Sequence, residues 1–209
     1  MTAMEPTKYR SPLHGHPANA GSPAAAHGAQ AAGVALQDLS ACERIGFKGR
    51  GANDWLASHG VVLPERPNLL LPASGDLIVG RLAASEFVLL CTRPGAQALI
   101  DALRADYRLA RPEDCYLVPK ADGQAMLGLS GAMSFDVLSK MSPVDFRPRE
   151  FPAGAIAQTT CARVGTQILH IRSAPSSEVI LLVDSSYAVH LWDCITDAMR
   201  EFGASARAV

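Results

Sequence analysis

Two stretches of this chain repeat each other in order, and the repetition constrains the fold more than any single motif does. Ile45–Leu56 (IGFKGRGANDWL) aligns with Leu127–Leu138 (LGLSGAMSFDVL) at an offset of 82 residues, so that Gly46 meets Gly128, Gly49 meets Gly131 and Asp54 meets Asp136. The following apolar positions keep step, with Ala52, Trp55, Leu56 and His59 set against Ser134, Val137, Leu138 and Met141. Glu86–Leu103 then aligns with Glu178–Ile195 at an offset of 92, matching Glu86, Leu89, Leu90, Ala96, Leu99 and Asp101 to Glu178, Leu181, Leu182, Ala188, Leu191 and Asp193. A duplicated scaffold of this kind can serve binding or assembly with no catalytic residues of its own.

The pattern between these anchors sets the expected elements. Val34–Ser40 and Arg44–Lys48 read as extended, and Gly49-Arg50-Gly51 turns the chain into a helix from Ala52 to about His59, which Gly60 ends as a left-handed cap. Pro64, Pro67 and Pro72 predict a loop; Leu77–Leu82 and Glu86–Leu90 predict a hairpin; Pro94 opens a helix carrying Ala96, Leu99, Ile100 and Leu103 on one face. The second half repeats the order: a strand into Gly128–Gly131, a helix to about Met141 and a proline-rich loop through Pro143, Pro148 and Pro152. Extended segments follow near Ile156–Arg163, Thr166–Arg172 and Glu178–Val183, and a last helix runs from Tyr187 to Phe202. Each half therefore reads β-α-β-β-α, which predicts an α+β fold with helices packed on antiparallel sheets. The expected division is an Ala/Gly/Pro/His-rich tail over 1–33, a first half over 34–107, a linker over 108–114, a second half over 115–203 and a C-terminal tail over 204–209.

Composition excludes several function classes. The 209 residues are 48% hydrophobic and 19% charged, with a net charge of −1. No run of Lys or Arg exceeds a pair, whereas nucleic-acid binding needs a concentrated basic face. No apolar stretch approaches the ~20 residues that span a bilayer, and the first thirty residues lack the apolar core of a secretory signal. The five cysteines are dispersed without a CxxC pair, which predicts reduced thiols in a cytoplasmic protein and no structural zinc.

The cluster Gly46, Gly49, Gly51 has neither a dinucleotide nor a P-loop order and reads as a structural turn, although Lys48 and Arg50 could meet a ligand anion. Asp54 and Asp136 sit in first helical turns, where a carboxylate is favoured by free backbone N–H groups. No nucleophile elbow is present, and His170 and His190 read as packed or half-exposed side chains rather than bases. The most distinctive segment is Val144–Gln158 (VDFRPREFPAGAIAQ), stiffened by proline and alternating arginine with aromatics. It reads either as a rigid cover for the sheet or as a partner contact, since arginine and aromatic residues dominate interface hot spots; Arg147, Arg149, Phe151 and Pro152 are its candidate interface residues.

The Gly-turn-helix GFKGRGANDWLASHG with the following VVLPERPN and GRLAASEFVLL resembles the gamma subunit of heterotetrameric sarcosine oxidase. So does the block SGAMSFDVLSKMSPVDFRPREFPAGAIAQT, with Pro143 to Asp145, Phe151-Pro152-x-Gly154 and Gln158-Thr159, and so does SSYAVHLWDCITDAM. The resemblance covers residues 34–203. That family is similar in fold to the folate-binding domain of glycine-cleavage T-proteins, whose opening Asp38-Leu-Ser40 followed by Gly49, Ala52 and Leu56 resembles. The resemblance implies a non-catalytic structural subunit assembled with alpha, beta and delta subunits of a cytoplasmic enzyme that oxidatively demethylates sarcosine to glycine. It further implies that FAD, FMN, NAD and tetrahydrofolate reside in those partners and that this chain binds none of them. The alternatives are a stand-alone folate-binding aminomethyltransferase, with Asp38 or Asp136 steering the folate amine, and the equivalent subunit of a dehydrogenase acting on N-methylglutamate.

Overall fold

The computed structural model describes residues 11–16, 33–73, 76–93, 97–173, 177–202 and 205–208. The first sheet holds β2 (Arg44–Lys48), β3 (Leu69–Pro72), β4 (Leu77–Ala83), β5 (Glu86–Cys91) and β6 (Tyr116–Pro119) in the order β3-β4-β5-β2-β6. The second holds β1 (Ala35–Asp38), β7 (Gln124–Ser130), β8 (Ile156–Cys161), β9 (Val164–Arg172), β10 (Glu178–Asp184) and β11 (Ser205–Ala208) in the order β11-β1-β7-β10-β9-β8. Neighbouring strands run antiparallel except β1 and β11, which are parallel.

Helices cover the outer faces, and their periodicity says why. In α1 (Ala52–Ser58) the buried residues are Ala52, Trp55 and Leu56, and Trp55 packs on Phe47 of β2 at 4.7 Å between ring centroids. In α2 (Ala98–Ala110) Ile100 and Leu103 are buried, and Tyr107 lies 6.0 Å from the Phe47 ring. On the second sheet, α3 (Ser134–Ser139) and α4 (Ala188–Met199) bury Val137, Leu138, Leu191, Trp192, Ile195 and Met199 against Leu127, Leu129, Val179 and Leu181. The opposite parity of the same strands faces the other sheet: Met126, Leu169, Ile180 and Leu182 join Leu39, Ile45, Ile78 and Val88 in one apolar cluster between the layers. The α+β expectation holds, with helices, two sheets and helices stacked in that order.

The repeat extends to backbone detail at the glycine bends, and it contains an exchange. The first strand of each half leaves its own sheet and pairs with the other: β1 lies on β7, and β6 lies on β2. Gly46 faces Val118 across one pairing and Gly128 faces Gln37 across the other. Gly49 (φ 124°) and Gly131 (φ 120°) hold the same bend after β2 and β7. The N–H of Gly49 donates to Ser85 O and that of Gly131 to Ser177 O, each acceptor preceding a strand that begins with Glu. The residues entering the exchanged strands lie over the bends, since Gly51 N–H donates to Asp114 O and Met133 N–H donates to Gly33 O. The crossovers between β1 and β2 and between β6 and β7 meet at Arg44, which is buried. Its guanidinium donates to Ser40 O (3.0 Å) and Cys42 O (2.8 Å) on one crossover, and to Ala121 O (3.0 Å) and Gln124 O on the other side.

Several expectations change. The stretch read as a loop around the prolines contains β3, an edge strand closed by Pro72, where a missing N–H disturbs no ladder. The order in each half is ββαβββα rather than β-α-β-β-α: the extended segment expected over Val34–Ser40 forms β1, and the four-residue strands β3 and β6, too short to carry a pattern of their own, are added. Within the segment read as an N-terminal tail, Ser11–His16 docks on the second layer: Leu13 is 1% exposed among Val34, Leu36 and Trp192, and His16 lies 3.2 Å from Asp193. Within the segment read as a C-terminal tail, Ser205–Ala208 forms β11 on β1. The corresponding outer edge of β6 ends in Pro119, which offers no N–H. Helix α2 continues through Arg108 to Ala110, while Pro94 and Ala96, expected in its first turn, lie outside the described residues. Gly60 has the left-handed backbone its position predicts (φ 74°), and the expected last helix buries Ala188, Leu191, Trp192, Ile195 and Met199.

All five cysteines are free. Burial pushes the thiols of Cys42 and Cys161 up to about 12 and that of Cys91 to about 11, and it raises Cys115 as well. Thiolate is the reacting form, so a disulfide reagent at mildly alkaline pH is expected to label half-exposed Cys194 fast and the other four only as the chain unfolds. Rapid labelling of more than one thiol in the native protein would contradict this packing.

Candidate partner-interface loop

The segment between α3 and β8 is organised by its aromatic residues. Phe146 and Phe151 are 4% and 3% exposed, so both point inward. Phe135, from α3, lies 5.8 Å from Phe146 in a near-parallel stack and 6.1 Å from Phe151 edge-on. The imidazole of His170, on β9, closes the cluster at 4.9 Å from Phe135 and 5.5 Å from Phe151. His170 is 1% exposed, and its Nδ1 lies 2.9 Å from Phe151 O; because a carbonyl only accepts, Nδ1 carries the proton. Its Nε2 lies 3.1 Å from the Ser173 hydroxyl, so both ring nitrogens have partners. The expectation of a packed histidine holds here, with the imidazole serving as a strut beneath the loop.

The crest is preset as well. The Asp145 carboxylate accepts from the Arg147 backbone N–H at 3.0 Å and from the Arg147 guanidinium, including Nε at 2.9 Å. The side-chain hydrogen bond from Arg147, then its backbone N–H, holds the Asp145 carboxyl below the usual aspartate range, and the same contact raises the Arg147 guanidinium. Phe151 N–H donates to Arg147 O, Gly154 N–H donates to His170 O, and Gly154 O accepts from Leu70 N–H of the first sheet. The loop is thus tied to the scaffold on both sides of Gly154, and the second tie crosses to the other half.

The four sequence-selected residues separate accordingly. Arg147, Pro152 and Arg149 face solvent, Arg149 with 95% of its side chain exposed, while Phe151 is interior and anchors them. The sequence reading missed Phe135 and His170 as supports; both are separated from the loop along the chain and meet it only through the stacking of α3 and β9. The backbone of the loop and the Arg147 side chain are pre-organised for contact, which lowers the entropy to be lost on docking.

Elsewhere the candidate groups are spent within the chain. Asp54 and Asp136 are exposed in first helical turns. Lys48 pairs with Glu86 at 3.7 Å and Arg50 with Asp114 at 3.0 Å. Asp38 is 3% exposed, and its two oxygens accept from Ser40 N–H (2.9 Å) and the Ser11 hydroxyl. With apolar side chains filling the space between the sheets, neither aspartate weighed for a folate amine stands free at a polar cavity there. His190 lies 3.0 Å from Ala162 O and 3.8 Å from Cys194, a surface pairing without a carboxylate behind it among the described contacts. Among the described residues no group of three His, Cys, Asp or Glu could hold a metal ion, and no helix is long and apolar enough to cross a membrane.

Comparison with known proteins places this geometry. The family model described as GCVT N-terminal domain matches residues 73–208. No curated protein sequence matches the chain significantly. Among solved structures, a chain of the heterotetrameric sarcosine oxidase from Corynebacterium sp. U-96 superposes with a TM-score of 0.72 at 24% identity, over 93% of this chain and 96% of that one. The glycine cleavage system aminomethyltransferase T from Bartonella henselae superposes with a TM-score of 0.63 at 17% identity, over 85% of this chain and 48% of the transferase, so the present chain spans about half its length. At these identities the likeness is one of fold.

Proposed function

This chain belongs to the GCVT N-terminal domain family, and from that premise we propose that it is a non-catalytic structural subunit, the gamma subunit, of a flavin-dependent sarcosine oxidase complex. The observation that carries the reading is the near-complete mutual coverage with a chain of a heterotetrameric oxidase, 93% of one and 96% of the other, against half coverage of the transferase. Two observations support it: of the aspartates weighed for a folate amine, Asp38 is engaged internally and Asp136 lies exposed on α3 outside the apolar space between the sheets, while an exposed loop is presented outward. In this reading the alpha, beta and delta subunits hold FAD, FMN, NAD and tetrahydrofolate, this chain holds none of them, and the complex works in the cytoplasm, demethylating sarcosine to glycine.

The interface is the crest of Arg147, Arg149 and Pro152 on its Phe151 anchor. Arg149→Glu combined with Pro152→Ser leaves the aromatic cluster in place and is expected to lower recovery of partner chains by roughly tenfold, the scale of one interface hot spot. Its melting temperature should stay at the wild-type value. The experiment is a gentle pull-down of the tagged full-length chain from its native cells, followed by an absorbance spectrum. Large co-eluting chains with flavin absorbance that bleaches on adding sarcosine are expected. Bleaching by N-methylglutamate alone would assign the same role in a complex for that amino acid. A colourless chain eluting alone would overturn the subunit reading.

A further inference from the structure

The exchange of β1 and β6 places most of the union between the halves in contacts that do not depend on the link joining them. Strand β1 on β7, β6 on β2, Arg44 on Ala121, and the Gln158 amide donating to Leu82 O at 2.7 Å all run between residues 33–110 and 115–202. Two copies that traded halves would reproduce every one of them. When the interface is conserved, the balance between closed and exchanged forms is set by the hinge and by concentration.

The hinge is strained in the closed form. Helix α2 ends at Ala110, and Arg111 turns the chain toward β6 in the left-handed region (φ 44°, ψ 61°), a position where helices ordinarily place glycine. The next residue is Pro112, whose ring disfavours helical conformations in the residue before it and favours an extended one. Arg111 is therefore held in a conformation that both its own Cβ and its neighbour oppose. An open hinge would let it extend. Asp114 (φ 50°) makes no such difference, because its carbonyl accepts from Gly51 N–H and lies over Gly49 wherever β6 pairs with β2.

We propose that the free chain forms a dimer with a second copy of itself by trading halves about Arg111–Pro112, each first half packing on the second half of the other copy. The exchanged dimer separates only as its strand pairings open, so it forms on refolding at high concentration and persists on dilution.

The test is refolding of the full-length chain from urea at low and high concentration, followed by size exclusion with light scattering. The wild-type chain is expected to give a dimer fraction that grows with refolding concentration and remains for hours after dilution. Arg111→Gly, which relieves the closed hinge, should lower the dimerisation constant by about a hundredfold, roughly tenfold for each of the two hinges. Deleting Pro112 and Glu113 shortens the link and should shift the population strongly toward dimer, its fold being read from the near-UV signal of Trp55 and Trp192. Monomer alone at every concentration for the wild-type chain overturns the proposal. So does a dimer that falls apart within seconds of dilution, or one indifferent to Arg111→Gly. If the shortened chain fails to fold, the Arg111→Gly comparison decides.

Discussion

Arg44→Met is expected to cost about 3–5 kcal/mol of unfolding free energy, the scale of two or more buried acceptors left without donors, although methionine fills a similar volume. The repeat itself suggests the substitution, because Arg44 aligns with Met126 in the second copy. The reason for the loss lies in what the guanidinium leaves behind. Four backbone carbonyls, of Ser40, Cys42, Ala121 and Gln124, accept from it inside the protein. A buried acceptor without a donor costs roughly 1–3 kcal/mol, and Met supplies no donor to any of them. Partial relaxation and entry of water keep the sum below simple addition. Arg44→Lys should fall between, since an ammonium keeps the charge but not the planar fork that reaches both crossovers. Urea unfolding measures both; a loss below about 1 kcal/mol for Arg44→Met would show that the crossovers hold each other without it.

Gly131→Ala should be comparably damaging, and Gly49→Ala should match it if the two halves are equivalent. A methyl on Gly131 would lie 2.3 Å from Gly33 O, and one on Gly49 would lie 2.1 Å from Asp114 O. Both neighbours are backbone atoms leading into exchanged strands, so neither can move without disturbing β1 or β6. Both glycines also hold φ near 120°, where an L side chain is strained even in open space. Together, clash and strain place the loss on the order of 3 kcal/mol or more in each case. Gly165→Ala is the control: a methyl there meets nothing within 4 Å, and its effect should stay within about 0.5 kcal/mol. Thermal unfolding of the three variants checks the pattern. A tolerated Gly131→Ala would mean that the strand entry yields, and the exchange would then be weakly held.

The candidate loop was legible in the sequence to a limited depth. Its prolines and its alternation of arginine with phenylalanine marked Val144–Gln158 as unusual, and Phe151 and the arginines were grouped as one surface. Period and composition do not say which side of a non-repetitive segment faces inward. That was settled by Phe135 and His170, which arrive from α3 and β9 to receive Phe146 and Phe151 and so turn Arg147, Arg149 and Pro152 outward. Similarly, nothing in the run of small and polar residues before Val34 announced that Leu13 would be buried, because a single apolar residue has no period.

What the sequence determined by itself is local and repeated. Two glycine bends, the helices they introduce and the apolar runs that form β4, β5 and β10 follow from chirality, helical period and extended-chain preference acting over a few residues. The duplication was visible for the same reason, since equal local rules leave equal local patterns. What only the tertiary structure decided is partnership: that β1 and β6 cross to the opposite sheet, that Ser205–Ala208 pairs with β1, and that one arginine binds both crossovers. Backbone hydrogen bonds between strands are alike for every residue, so a strand's sequence specifies that it must be paired and which face is apolar, while the neighbour it pairs with is set by how the whole chain closes around its core.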